Sequence, residues 1–179
     1  MASSSHCFFV VSVALLLQFL VSPASALTLT STQYIDKLCQ MSFINDKPFC
    51  LQTLSAYPAA ASATDLLPLA TAVISGIVLP QAQKSASFAE GVSKKEPSFK
   101  ACQDAFVNIG KSLQSAVGEL KASLETANYD VMVCTDQTTK VADLIGKNQD
   151  ADSKTLMGMT MQMNKLIRLG VAATQVLGG

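Results

Sequence analysis

A seven-residue recurrence between Pro97 and Ala127 constrains this chain more than any other feature. Phe99, Phe106, Leu113, Leu120 and Ala127 fall at that interval, with Cys102, Ile109 and Ala116 between them at alternating gaps of three and four. Lys100, Gln103, Lys111, Ser115, Glu119 and Lys121 occupy other positions. Apolar residues so spaced share one face of a helix, which predicts an amphipathic helix with a core-facing seam. Glu96 is placed to cap it. Pro97 suits the first helical position, where its missing N–H has no intrahelical partner to lose. Read as one helix, the stretch runs about 45 Å. A seam of that length requires partner helices of similar length.

The rest of the chain supplies them. Leu66, Ala70, Val73 and Ile77 form a seam widened by Leu67, Ile74 and Val78, with Thr64 as cap and Asp65 in the first turn. Pro80 falls inside this pattern and predicts a kink, because Phe88 and Val92 resume it. The Pro97 helix is expected to end at Asn128. Val131, Cys134, Thr138, Val141 and Ile145 then form a seam that Gly146 stops. Asp150 or Asp152 caps the last helix, whose seam is Leu156, Met159, Met163, Leu166, Gly170, Ala173 and Leu177. Small Gly170 and Ala173 should admit a close neighbour. Met157 and Met161 fall on its flanks, so the methionines read as core and boundary packing rather than a ligand site. No stretch alternates with period two, so no strand is expected. Four amphipathic helices with short connections predict an all-α, up-down-up-down four-helix bundle with shallow crossing angles.

Upstream, Tyr34, Ile35 and Leu38 lead into Cys39, Pro48 interrupts continuation, and Cys50, Leu51 and Leu54 begin a second short apolar turn. Closing Cys39 to Cys50 staples a small helical hairpin ahead of the bundle, a loop constraint worth about 3 kcal/mol. Before it, Phe8 to Val21 is almost unbroken apolar sequence followed by Ala24-Ser25-Ala26. That is a signal-peptide pattern with cleavage before Leu27. The expected organisation is therefore a signal peptide over 1–26 and one domain over 27–179. Within the domain, 27–63 form the hairpin and connection and 64–179 the bundle. No stretch after the leader is expected to be long and apolar enough to span a membrane.

Charge and composition narrow the chemistry. Lys plus Arg equals Asp plus Glu, 13 of each, without a basic cluster, so nucleic acid and membrane are poor partners. The only histidine, His6, leaves with the leader. That excludes Ser-His-Asp and Cys-His catalysis and His-based metal sites from the mature chain. Its four cysteines, Cys39, Cys50, Cys102 and Cys134, lack C-x-x-C spacing. In an oxidising compartment an even number reads as two disulfides. No phosphate-cradling glycine loop is present, and Glu119 and Glu125 read as surface charge rather than a catalytic pair. Neither enzyme activity, a metal nor a cofactor is expected.

One stretch adds a family likeness. Phe49-Cys50-Leu51-Gln52-Thr53-Leu54, then Tyr57-Pro58, a small-residue run, and Asp65-Leu66 with Leu69, resemble the cysteine, leucine, turn and helix-entry pattern of the plant invertase and pectin methylesterase inhibitor family. Ala101-Cys102 with Phe106, Ile109 and Leu113, and the turn Asn128-Tyr129-Asp130, extend the resemblance over the mature chain. One position departs from it. The family's fourth cysteine lies near the end of its helix and meets the third across antiparallel helices, whereas Cys134 lies near the start. With Pro97–Ala127 as one straight helix, Cys102 and Cys134 would be about 35 Å apart, and a disulfide needs Cα atoms within about 7 Å. Either a break at Gly110 or Gly118 allows a Cys102–Cys134 bridge, or both cysteines stay reduced in the core.

The resemblance implies a secreted inhibitor of the apoplast or cell wall, the vacuole being an alternative address. Such a bundle docks over its target's active-site cleft and blocks substrate entry without chemistry. The target it implies is pectin methylesterase, with acid invertase as the alternative. Exposed helix faces would carry the contact: Lys111, Gln114 and Ser115 on the central helix, and Asp136, Thr139 and Lys140 on the next. A different class is a non-inhibitory interaction module or a small-ligand carrier; a carrier needs a cavity in the bundle core, and seams filled by Leu, Phe, Met and Ile argue against a large one.

Overall fold

The structure, a computed structural model, describes residues 30–179. The expected signal peptide, and the cleavage point before Leu27, lie outside the described residues. Among those described, every regular element is helical.

The chain opens with the stapled hairpin. Helix α1 (Ser31–Cys39) starts where the Gln33 side chain accepts the Thr30 N–H at 2.7 Å, satisfying a donor that the first turn leaves free. Helix α2 (Lys47–Ala56) is capped by Asp46, whose carboxylate accepts the Phe49 N–H at 3.1 Å, and has a proline in its first turn. Cys39 and Cys50 are disulfide-bonded across the intervening loop, with Cα atoms 5.7 Å apart. A short α3 (Pro58–Ala61) leads to the bundle.

The first bundle arm is a continuous kinked helix, α4 (Leu66–Val73) and α5 (Leu79–Ser93) joined by a π-helical turn over Ile74–Val78. Asp65, rather than Thr64, is its cap and accepts the Leu66 N–H at 2.6 Å. The turn is widened just before Pro80, and the Leu79 N–H bonds to the Ile74 carbonyl five residues back. The proline offers no N–H and crowds the carbonyl four residues before it, so one wide turn lets the helix continue past it. Contrary to expectation, this arm has the length and apolarity of a membrane span. Leu66–Ser93 is 28 residues long with a window of mean hydropathy 1.4. Leu69, Ala70, Val73, Ile74, Val78 and Ala82 along it are buried within the bundle.

The second arm corrects the longest expectation. After a 3-10 turn over Pro97–Phe99, α6 covers Lys100–Glu119, about 30 Å. The chain then turns over Leu120–Ser123, and α7 begins at Leu124 with the Ser123 hydroxyl accepting the Thr126 N–H at 3.3 Å. Asn128 therefore lies inside a helix rather than ending one. The seven-residue recurrence survives the turn because Leu120 and Ala127 are both buried, one on each side of it. Helices α7 (Leu124–Met132) and α8 (Cys134–Ile145) form the third arm, and α9 (Ala151–Leu177), capped by Asp150, the fourth. The arms contact in the cyclic order expected of an up-down-up-down bundle.

Phe106, Ile109, Leu113, Leu156, Met163 and Ile167 fill the centre, all under 2% exposed, each burial worth about 1.5–3 kcal/mol. Thr160, not Met159, takes the buried position on α9; its hydroxyl bonds the Leu156 carbonyl at 2.7 Å, while Met157 and Met159 are half-buried and Met161 is exposed. Gly170 makes the close approach expected of it. A Cβ there would stand 3.0 Å from Val131 and 3.8 Å from Val78. Two polar pairs join arms: Thr138 on α8 donates to Asn164 on α9, and the Thr174 hydroxyl on α9 to Asn128 on α7 at 2.8 Å.

The break at Leu120–Ser123 brings Cys134 back alongside α6, yet Cys102 and Cys134 are both free and buried. The Cys134 thiol points at the carbonyls of Asp130, 3.3 Å away, and Ile109, 3.9 Å away. Ile109 is two helical turns from Cys102, about 10 Å along the axis. The Cys102–Cys134 bridge is thus absent for reasons of register rather than the predicted separation along a straight helix.

Candidate functional site

The residues singled out on the central arms all reach solvent. On α6, Lys111, Gln114 and Ser115 are exposed because the buried seam Phe106, Ile109, Leu113 and Ala116 occupies the opposite face. Lys111 and Gln114 border a groove of about 200 Å³ between α5 and α6, floored by Leu79, Ala86 and Phe106. Gly110 lines the same groove, where a Cβ would make ordinary contact with the Leu79 side chain at 3.8 Å. On α8, Asp136, Thr139 and Lys140 line a broad depression of about 430 Å³ with Asp143 and Leu144. The Thr139 hydroxyl donates to the Thr135 carbonyl at 3.1 Å, which ties it to its own helix. The two sets lie on packed neighbouring arms but do not converge on one pocket, and Ser115 borders neither depression. Such a surface offers shape and charge. Among the described residues no three metal-ligating side chains come together.

Electrostatics beneath this surface set the state of the two thiols. Burial pushes the Cys134 thiol up to about 12, with the Asp130 carboxylate adding to it. Burial also raises Cys102, opposed by the positive charge of Lys140. Both are therefore protonated at neutral and acidic pH and act as small apolar core groups.

At the other side of the bundle, the stapled hairpin is fastened to α9. Lys165 reaches Asp46 at 2.7 Å and lies 5.1 Å from the centre of the Phe49 ring, while Arg168 donates to the Phe43 carbonyl at 3.1 Å. The Lys165 ammonium and the Phe49 N–H hold the Asp46 carboxyl below its ordinary range. A groove of about 310 Å³ remains beside these contacts, lined by Ile44, Phe49, Met161 and Leu169. Tyr57 is the second fastening. Its ring lies against Gly76, where a Cβ would fall within 2.7 Å of Cε1.

The family model described as plant invertase/pectin methylesterase inhibitor matches residues 33–172, from within α1 to near the end of α9. The chain belongs to the plant invertase/pectin methylesterase inhibitor family. A crystal structure of a mutant form of a pectin methylesterase inhibitor from Arabidopsis superposes with a TM-score of 0.67 at 14% identity, covering 79% of this chain and 95% of that one. At that identity the likeness speaks for the inhibitor fold. No curated protein matches the chain significantly. Cys102 and Cys134 are both free and buried in this chain. Helix α7 is not legible in the apolar pattern, which runs without a break from the central helix to the Asn128-Tyr129-Asp130 turn. The cap Ser123, followed by Glu125 in the first turn, was the signal for it.

Proposed function

We propose that this protein is a secreted inhibitor of pectin methylesterase that lies across the enzyme's active-site cleft and blocks substrate entry. The observation that carries the reading is the family match over nearly the whole described domain. The fold shared with the Arabidopsis pectin methylesterase inhibitor supports this target. Exposed faces of α6 and α8 make the contact, through Lys111, Gln114 and Ser115 on one arm and Asp136, Thr139 and Lys140 on the other. The chain is not an enzyme in this reading. Inhibition needs only a rigid surface, and the mature chain has no histidine for acid–base work. The leader directs it to the apoplast or cell wall.

The carrier reading has less support. The bundle centre is filled by large side chains, and the described depressions are open to the surface rather than enclosed within the seam. The test is a titration of residues 27–179 into a plant pectin methylesterase and, separately, an acid invertase, in mildly acidic buffer. Selective loss of esterase activity is expected. Selective loss of invertase activity would move the protein to the other branch of its family, and loss of neither would overturn the inhibitor reading.

A further inference from the structure

We propose that α7 supplies the apolar anchor of the docking face, with Tyr129 and Met132 seated in a basic patch on the target enzyme. The proposal rests on the inhibitor reading above. Val133 joins α7 to α8 in a right-handed helical conformation, and its N–H bonds to the Tyr129 carbonyl at 3.0 Å, so the helical phase carries through. Ala127, Val131, Cys134, Thr138, Val141 and Ile145 form the inward seam of this arm. Glu125, Tyr129, Met132, Asp136 and Asp143 therefore recur along the outward face, at the complementary spacing.

Tyr129 is 64% exposed and Met132 is 49% exposed. Single exposed apolar groups are ordinary, but two large ones at adjacent positions of one ridge leave a continuous apolar crest in water. Tyrosine and methionine are also enriched at the centres of protein interfaces. The crest is set in negative charge. Glu125, Asp130, Asp136 and Asp143 face only Lys140 on this arm, whereas the whole chain is neutral. Arginine or lysine side chains on a partner match the negative charge of this ridge. A second copy of this chain is a poorer fit. A two-fold contact would set the acidic ridge against itself.

The test measures inhibition of plant pectin methylesterase by the mature chain and four variants. Tyr129→Ala should raise the inhibition constant by about tenfold or more, and Met132→Ala by a few-fold. Met161→Ala, 62% exposed but on α9, should stay within about twofold. The unaltered chain should lose affinity as salt rises, and Glu125→Lys with Asp143→Lys should flatten that dependence. The salt series needs no variant, and thermal unfolding checks that each variant folds. Unchanged inhibition by Tyr129→Ala with Met132→Ala, or affinity independent of salt, would overturn the anchor while leaving the inhibitor reading intact. A mature chain that inhibits no esterase overturns both.

Discussion

The molecule holds two pairs of cysteines and uses them in opposite ways. Cys39 and Cys50 flank a short loop between two helices too small to enclose a core, and a covalent bond fixes their geometry. Cys102 and Cys134 lie on long antiparallel arms that share a large core, and they stay thiols because α8 meets α6 two turns out of register. The same side chain is a staple where burial is scarce and a packing group where burial is plentiful. The difference predicts that the hairpin depends on oxidation and that the bundle does not.

Four measurements would break or sharpen that contrast, in descending size of effect. Replacing Cys39 and Cys50 by alanine should cost about 3 kcal/mol, lowering the Tm by roughly 6–12 °C for a chain of this size. A reductant should produce nearly the same loss in the unaltered protein and none in the variant, as followed by thermal unfolding. Next, Gly76→Ala should cost about 1–3 kcal/mol, because the new Cβ displaces Tyr57 from its seat between hairpin and bundle. Gly118→Ala, where a Cβ meets nothing within 4 Å, should cost nothing by comparison.

A smaller loss, about 1 kcal/mol, is expected for Cys102→Ala or Cys134→Ala, each of which removes one buried sulfur. Thiol counting in denaturant should find two free thiols per mature chain, and a count of none would show that this pair bonds after all. The pH dependence has a definite sign. The folded state keeps the Cys134 proton from 9.0, where a free thiol ionises, up to about 12. Its stabilising contribution is complete below that lower value and is lost as pH rises toward the upper one. Alkylation of the native protein should accordingly be slow at mildly alkaline pH. The smallest effect belongs to Asp46→Asn, which keeps an oxygen to cap α2 but loses the charge that Lys165 meets at 2.7 Å. Because the Asp46 carboxyl is held below its ordinary range, the contact is complete above 3.8 and fails as pH falls through the lowered value. A titration of the carboxyl by nuclear magnetic resonance, matching that of a free aspartate, would remove this fastening from the account.

The sequence carried the seams well and the register poorly. Every predicted arm exists, because a buried stripe needs only the right residues at the right spacing. The turn at Leu120–Ser123 was hidden by its own phase: Leu120 and Ala127 stay seven residues apart and both face the core, so periodicity runs through the break. Gly118, Ser123 and Glu125 were the local signs of it, and capping residues weigh little beside an apolar pattern. The wide turn before Pro80 was legible only as a kink, since a proline fixes that something must give but not which turn gives. On the candidate surface, the exposure of Lys111, Gln114, Ser115, Asp136, Thr139 and Lys140 followed from the seams opposite them. Their separation into two depressions did not, because it depends on how neighbouring arms meet. Tyr129 and Met132 escaped notice for the same reason as the turn. Until α7 is a helix in its own right, neither has an outward face.

The central claim is that this protein excludes substrate rather than altering the enzyme's chemistry. The most direct test is steady-state kinetics of a plant pectin methylesterase with pectin as substrate, at several concentrations of the mature chain. The account predicts an apparent KM that rises with inhibitor while kcat stays constant. A fall in kcat at unchanged KM would contradict it, because that pattern places the bound inhibitor away from the cleft.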